Sequence, residues 1–365
     1  MTALDTPSSA ERSGGTTGAT TEGLVPRKPR RSTWPVLAAR VLILSPVMAW
    51  SMLVVTYAGG TGGSTSEMRA ALALIWVAGL IVSLRVVSWM RAATHATLLV
   101  TPIVLFFFLL SPSNAREWWE PASRVAHAEV DGDLVTIYNI RNFRYDEEGT
   151  WSADWYDATF DLRELSETWF VLTEFGGIEG IAHVMVSFEF ADDRFLVISV
   201  EIRREDGESY DPIGGAFRQY EIMYVAADER DAIALRTHVH RDDTWVIPMN
   251  AGQAANQAFF LDMVSTMSEL HATPRWYNTL TRSCATQLAH HYEQVNDVRF
   301  GFDRRILMPG FSDALLEELG LLPPGMNLAE IRDAYWVNER ALMAGVGESF
   351  SRDIRARPEA PLGAE

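Results

Sequence analysis

Across 365 residues the chain carries 48 acidic against 31 basic side chains, a formal charge of −17, and Lys28 is its one lysine. Binding a phosphate backbone needs a basic face, so this balance argues against nucleic acid as the main partner. Cys284 stands alone, which excludes an intrachain disulfide framework, and the length fits one large domain or two ordinary ones.

Residues 1–33 are rich in Thr, Ser, Gly and Pro and end in the basic run Arg27-Lys28-Pro29-Arg30-Arg31. That composition cannot bury a core and is expected to be disordered. Apolar stretches follow at about Trp34 to Ala58, Ala70 to Met90 and Ala96 to Leu110. The first two are long enough to cross a bilayer and the third is marginal; a buried helical hairpin is the alternative. Basic residues flank the first stretch on its N-terminal side and recur at Arg85 and Arg91. The positive-inside rule then puts the N-terminus in the cytoplasm and everything after Ser111 outside, a multi-pass topology in the cytoplasmic (inner) membrane.

Strand character follows at Ala128 to Ile140, with a turn at Asp131-Gly132-Asp133, and at Asp154 to Leu162 and Thr168 to Thr173. Alternation is clearest at His183 to Phe190 and Phe195 to Arg203, then at Gln219 to Ala226 and Thr244 to Pro248. Helices are expected near Ala232 to Leu235, at Ala251 to Leu270, after Cys284, and at Phe311 to Leu321 and Leu328 to Met343. The mixture predicts an α+β domain of antiparallel strands with helices on one side. The organisation expected is a disordered cytoplasmic tail (1–33), three transmembrane helices (34–112), an extracytoplasmic domain (113–300), a helical extension (301–350) and a disordered end (351–365).

Ser283 is an N-cap candidate, and Leu288, Ala289, Tyr292 and Val295 recur at helical spacing behind it. Cys284 then sits in a first helical turn, where free N–H groups and the helix dipole lower a thiol pKa and make a nucleophile. A buried structural cysteine is the plain alternative.

A three-residue loop at 191–193 pairs Phe190 with Arg194 and hence His183 with Glu201, with Ser199 or Arg203 opposite the histidine after a two-residue slip. If Cys284 packs over that surface, it forms a nucleophile, base and orienting group with His183 and with Glu201 or Ser199. Against this stand a core histidine satisfied by a carbonyl and a solvated Glu201. Arg203, Arg204 and Arg218 suit either ordinary ion pairs or a grip on a substrate phosphate or carboxylate. His238 and His240, alternating on a strand with Asp242 or Asp243 as a third ligand, make a weak zinc alternative, and His290-His291 a weaker one. The aromatic set Trp118, Trp119, Trp151, Trp155 and Tyr156 reads as core or as an interfacial belt.

Several stretches carry a family likeness: Ile140 to Tyr145, Trp155 to Asp161, Ala182-His183-Val184, Ile198 to Glu205, Phe217 to Glu221, Tyr277 to Leu280 and Ile306 to Gly310. In order, and over most of 115–345, they resemble the Lnb N-terminal periplasmic domain family. The resemblance implies an extracytoplasmic thiol enzyme with a Cys/His pair, whose cysteine falls on Cys284 and whose histidine falls on His183. Members tied to lipoprotein maturation look like N-acyltransferases. The order of the pair is similar to circularly permuted papain-like enzymes, in which the strand after the histidine supplies the third group. The residue before the cysteine is commonly Asn in the family and is Ser283 here.

The fold class expected is therefore α+β, an N-terminal three-helix transmembrane anchor followed by a permuted papain-like antiparallel sheet and helix domain. The function expected is a membrane-anchored, extracytoplasmic cysteine-dependent acyltransferase acting on a membrane lipid or lipoprotein. The alternatives are an envelope cysteine hydrolase and a non-catalytic lipid- or peptidoglycan-binding module. Cys284, His183, Glu201 and Ser199 are the catalytic candidates, and Arg203, Arg204, Arg218, Tyr277 and Asn278 the substrate-binding ones. No metal or cofactor is expected.

Overall fold

The computed structural model describes residues 34–60, 66–86, 89–146, 148–178 and 180–356. The tail expected to be disordered at 1–33 lies outside them, as does 357–365.

Three helices come first, α1 (Trp34–Tyr57), α2 (Ser66–Val86) and α3 (Trp89–Leu109). They pack on one another around Trp76 and Ala96. Trp76 Nε1 donates to the Leu99 carbonyl at 3.4 Å, and Arg69 to the Thr56 and Ala58 carbonyls at 3.3 Å. Among the described residues, no helix is long and apolar enough to cross a membrane. The expected three-span anchor is thereby corrected. The multi-pass inner-membrane topology and the membrane-integrated lipid or lipoprotein partner are corrected with it. Apolar residues at helical spacing serve a packed bundle as well as a span, and these helices seat on the following domain. Gly59 N–H donates to the Arg218 carbonyl at 3.0 Å, Arg218 to the Phe107 carbonyl at 2.5 Å, and Trp276 Nε1 to the Leu110 carbonyl at 3.3 Å.

The strands are β1 (His127–Asp131), β2 (Leu134–Arg141), β3 (Arg144–Tyr145), β4 (Trp151–Ser152), β5 (Trp155–Asp161), β6 (Leu165–Glu174), β7 (Ala182–Phe190), β8 (Arg194–Arg203), β9 (Glu221–Ala227) and β10 (Asp243–Pro248). The main sheet runs β1-β2-β9-β8-β7-β6-β10, with β5 also on β2. It is mixed and not purely antiparallel, because the end of β2 lies parallel to β9 at Arg141↔Ala227. Asn139, with φ 61°, lies in a bulge that shifts the register of β2 on β5 between Ile137↔Ala158 and Ile140↔Tyr156.

The helices are α4 (Pro212–Ala216), α5 (Glu229–Ala234), α6 (Gln253–Ala272), α7 (Cys284–Val295), α8 (Arg304–Leu307), α9 (Ser312–Glu318), α10 (Leu328–Tyr335), α11 (Asn338–Ala344) and α12 (Phe350–Asp353). They cover both faces of the sheet, where one was expected. Val184, Val186, Phe188, Ile198 and Tyr224 meet α6 and α7, while Met185, Val197, Met223 and Val225 meet α5, α11 and α12. The single helix expected over 328–343 breaks at Trp336, whose ψ of 125° is extended. Nor does the chain fray from 351, since Ile354 is fully buried. Residues 301–356 thus belong to the two-faced core.

One irregularity in the sheet matters most. The β7/β8 ladder runs from Phe190↔Arg194 to Met185↔Ser199 and stops. Meanwhile β6 stays paired with β7 as far as Ala182, and β8 with β9 as far as Arg203. The two central strands keep their outer neighbours and part from each other, which leaves His183 and Glu201 facing across an opening.

The loop leading into β7 is clamped from behind. Gly310 N–H donates to the Gly180 carbonyl at 3.0 Å, and a Cβ on Gly310 would stand 2.6 Å from Gly180 Cα and 2.9 Å from its carbonyl carbon. Both contacts are backbone, so neither yields by rotating a side chain. Gly310→Ala is expected to destabilise the fold by about 1–3 kcal/mol, the range for overpacking, and to displace the approach to His183. Thermal denaturation compared with an alanine at the open position Gly252 checks this, since a Cβ there meets nothing within 4 Å.

Candidate active site

Cys284 is placed by a helix start that its neighbours encode. The Ser283 hydroxyl accepts from the Thr286 N–H, and Ser283 N–H donates back to Thr286 Oγ1 at 2.6 Å, a reciprocal capping box. Farther along α7, fully buried His291 holds Asp262 of α6 through Nδ1 and the Tyr224 hydroxyl of β9 through Nε2, both at 2.6 Å. The cap fixes where the helix begins and the histidine fixes how it lies on the sheet. Together they bring the sulfur to the parting of β7 and β8.

There the thiol sits beside the His183 imidazole and the Val184 backbone N–H, both of which favour its charged form. His183 Nε2 lies 2.7 Å from Ser199 Oγ and 3.2 Å from Glu201 Oε1, and the Ser199 hydroxyl donates to that same oxygen at 2.8 Å. Arg236 reaches Glu201 Oε1 at 3.4 Å. Glu201 and Ser199, alternatives in the sequence, are both engaged.

Burial pushes the Cys284 thiol up, but the imidazole and the Val184 N–H outweigh it and hold the thiol below its ordinary range. Burial pushes His183 down, yet the Glu201 carboxylate and the Cys284 sulfur raise it to about 9. Burial also raises the Glu201 carboxyl, and His183, Arg236 and Ser199 overcome that and keep it well below the usual carboxylate range. All three directions favour a thiolate beside an imidazolium.

The group opens on a cavity of about 760 Å³. Trp119, Arg141, Arg204, Tyr210, Arg236 and Tyr277 are among its walls. Burial raises the Tyr277 and Tyr210 hydroxyls, which lie within hydrogen-bonding reach of each other and feel the Cys284 charge. Of the residues expected to bind substrate, Tyr277 and Arg204 line the cavity. Arg203, Arg218 and Asn278 do not line the cavity. Arg203 is buried, donates to the Ala122 and Ser123 carbonyls and to Asn114 Oδ1, and stacks on Trp118. Arg218 ties the domain to α3. The Asn278 side-chain Oδ1 accepts the Leu280 and Thr281 N–H groups of its own turn.

Tyr210, Arg236, Arg141 and Tyr145 are cavity residues that no periodicity marks. Their signal is chemical: Arg141 grips buried Asp231 with two bonds of 2.9 Å, and Tyr145 donates to the same carboxylate at 3.3 Å. His238 and His240 lie in a π-helix (Leu235–His240) and not on a strand, so their alternation does not put them side by side. Among the described residues, no group of three or more His, Cys, Asp or Glu side chains is placed to hold a metal ion.

Neither a curated protein nor a solved structure matches the chain. Residues 151–310, which contain His183, Ser199, Glu201 and Cys284, match the family model of the Lnb N-terminal periplasmic domain and carry that domain.

Proposed function

We propose that the protein is a cysteine-dependent enzyme of acyl chemistry, a hydrolase when water accepts the acyl group and a transferase when another nucleophile does. The observation that carries the proposal is the parting of β7 from β8, where a lowered thiol, a raised imidazole and a carboxylate meet at a cavity. Nothing in core packing calls for three ionisable groups at a gap in a sheet, and perturbed titration of this kind gathers at functional sites.

The Cys284 thiolate attacks the carbonyl carbon of an ester or amide and forms the carbon–sulfur bond. The His183 imidazolium gives its proton to the departing oxygen or nitrogen as that bond breaks. Water or another acceptor then attacks the thioester while His183 removes its proton, and the sulfur leaves as thiolate. Nε2 is engaged by Ser199 and Glu201, which leaves Nδ1 to face the sulfur. The Cys284 N–H, at the first turn of α7, contributes a donor to the developing oxyanion in this reading.

The pH dependence follows from the directions of the two shifts. With the thiol lowered, its alkylation by iodoacetamide is fast and nearly flat through neutral pH. In His183→Ala the rate rises only toward the ordinary thiol range of about 8.5. Turnover falls again as pH passes about 9, where His183 loses the proton that the leaving group needs. Stopped alkylation assays read by intact mass check the first limb. An ordinary thiol profile in the unaltered protein would end the proposal.

A further inference from the structure

The geometry points to Arg204 as the recognition group of this cavity, and to a carboxylate or phosphate on the acyl-bearing substrate as what it recognises; this rests on Cys284 being the reacting thiol. Three guanidiniums line the cavity, Arg141, Arg204 and Arg236, together with the carboxylates of Glu201 and Asp242. Arg141 is committed to Asp231 by its two-bond grip, and Arg236 to Glu201. Arg204 differs. Among the described residues, no carboxylate lies within ion-pair distance of it.

Arg204 is instead held ready. Its guanidinium stacks 3.7 Å from the centre of the Trp119 ring, and Trp119 is braced edge-on by Trp151 at 5.4 Å. One N–H donates to the Glu208 carbonyl at 2.8 Å, and the Arg204 carbonyl accepts from Trp119 N–H at 3.1 Å. Stacking fixes the plane of the fork without using its remaining donors. A planar fork matches the two oxygens of a carboxylate or phosphate. Burial lowers Arg204, and Glu201, Glu208 and Asp206 offset that only at longer range, so an anion arriving in the cavity supplies the counter-charge.

The test compares reagents that differ only in charge and reach. The full chain is treated with N-ethylmaleimide, 3-maleimidopropionate and 6-maleimidohexanoate at low salt. Cys284 modification is followed by intact mass and normalised to N-acetylcysteine. A carboxylate reagent is expected to gain roughly tenfold over the neutral one, the scale of a charge-assisted hydrogen bond, and to lose that gain in Arg204→Gln. Inorganic phosphate suppressing the gain more than acetate assigns a phosphoryl group, and the reverse assigns a carboxylate. A normalised ratio near one at both lengths overturns the assignment without needing the variant to fold, as does a preference that survives Arg204→Gln. Failure of all three reagents to modify Cys284 overturns the thiol reading itself, a different result.

Discussion

Cys284→Ala abolishes turnover of an activated ester such as 4-nitrophenyl acetate, and His183→Ala lowers it by about 10²–10⁴-fold, the usual share of a positioned acid–base group. The ranking follows from what each residue does. Without sulfur no thioester forms, whereas without the imidazole the thiol returns toward its ordinary range and a small thiolate fraction sustains a slow reaction. Ser199→Ala and Glu201→Gln fall between these variants and wild type, because Nε2 keeps one partner when the other is lost. Initial rates of 4-nitrophenolate release, with the thiol titrated in parallel, measure all four. Wild-type turnover in Cys284→Ala would show the sulfur to be a spectator.

The largest effect on stability is expected from Glu229→Ala, at about 3–5 kcal/mol, the cost of leaving one member of a buried ion pair alone. Glu229 is fully buried at the start of α5 and accepts from Arg355 at 2.6 and 2.8 Å and from the Ser187 hydroxyl at 2.5 Å. Arg355 lies over Trp169 at 4.4 Å and Phe195 at 4.1 Å, and with its side chain only 9% exposed it would be poorly hydrated once its partner is lost. Pairing Glu229→Leu with Arg355→Met removes both charges and is expected to restore most of the loss. Urea midpoints of the single and double variants form the cycle. A double variant as weak as the sum of the singles would deny the coupling. The same contact anchors the end of α12 to the helix that leads into Arg236, so Glu229→Ala should also loosen Glu201.

The central hairpin was legible because alternation has a period of two. A three-residue loop at Ala191-Asp192-Asp193 pairs Phe190 with Arg194, and the observed ladder keeps that register and not a two-residue slip. What alternation cannot show is where a ladder ends, since that depends on α7 and the loop behind Gly180 arriving from elsewhere in the chain. Ser283 and Cys284 were legible for a local reason, as a cap and first turn are written in adjacent residues. Arg203 ends β8 and Arg204 follows it outside the strand, and composition could not say which of the two faces a cavity. His238 and His240 misled because alternation was assumed to mean a strand, whereas Asp228 caps α5 and the helix continues until Arg241 turns left-handed. The N-terminal apolar runs were read correctly as helices, and the membrane assignment drawn from them was not borne out.

The parting of β7 from β8 also has a kinetic side. Sulfur and imidazole arrive from segments about a hundred positions apart, and contacts of such separation form late because a long loop must close first. The hairpin needs only its own short turn. Refolding should therefore pass through a stage in which strands are protected from solvent exchange while the thiol still titrates like that of a free amino acid. Competence would be acquired in the final step, when α7 seats, and pulse alkylation during refolding would time that moment.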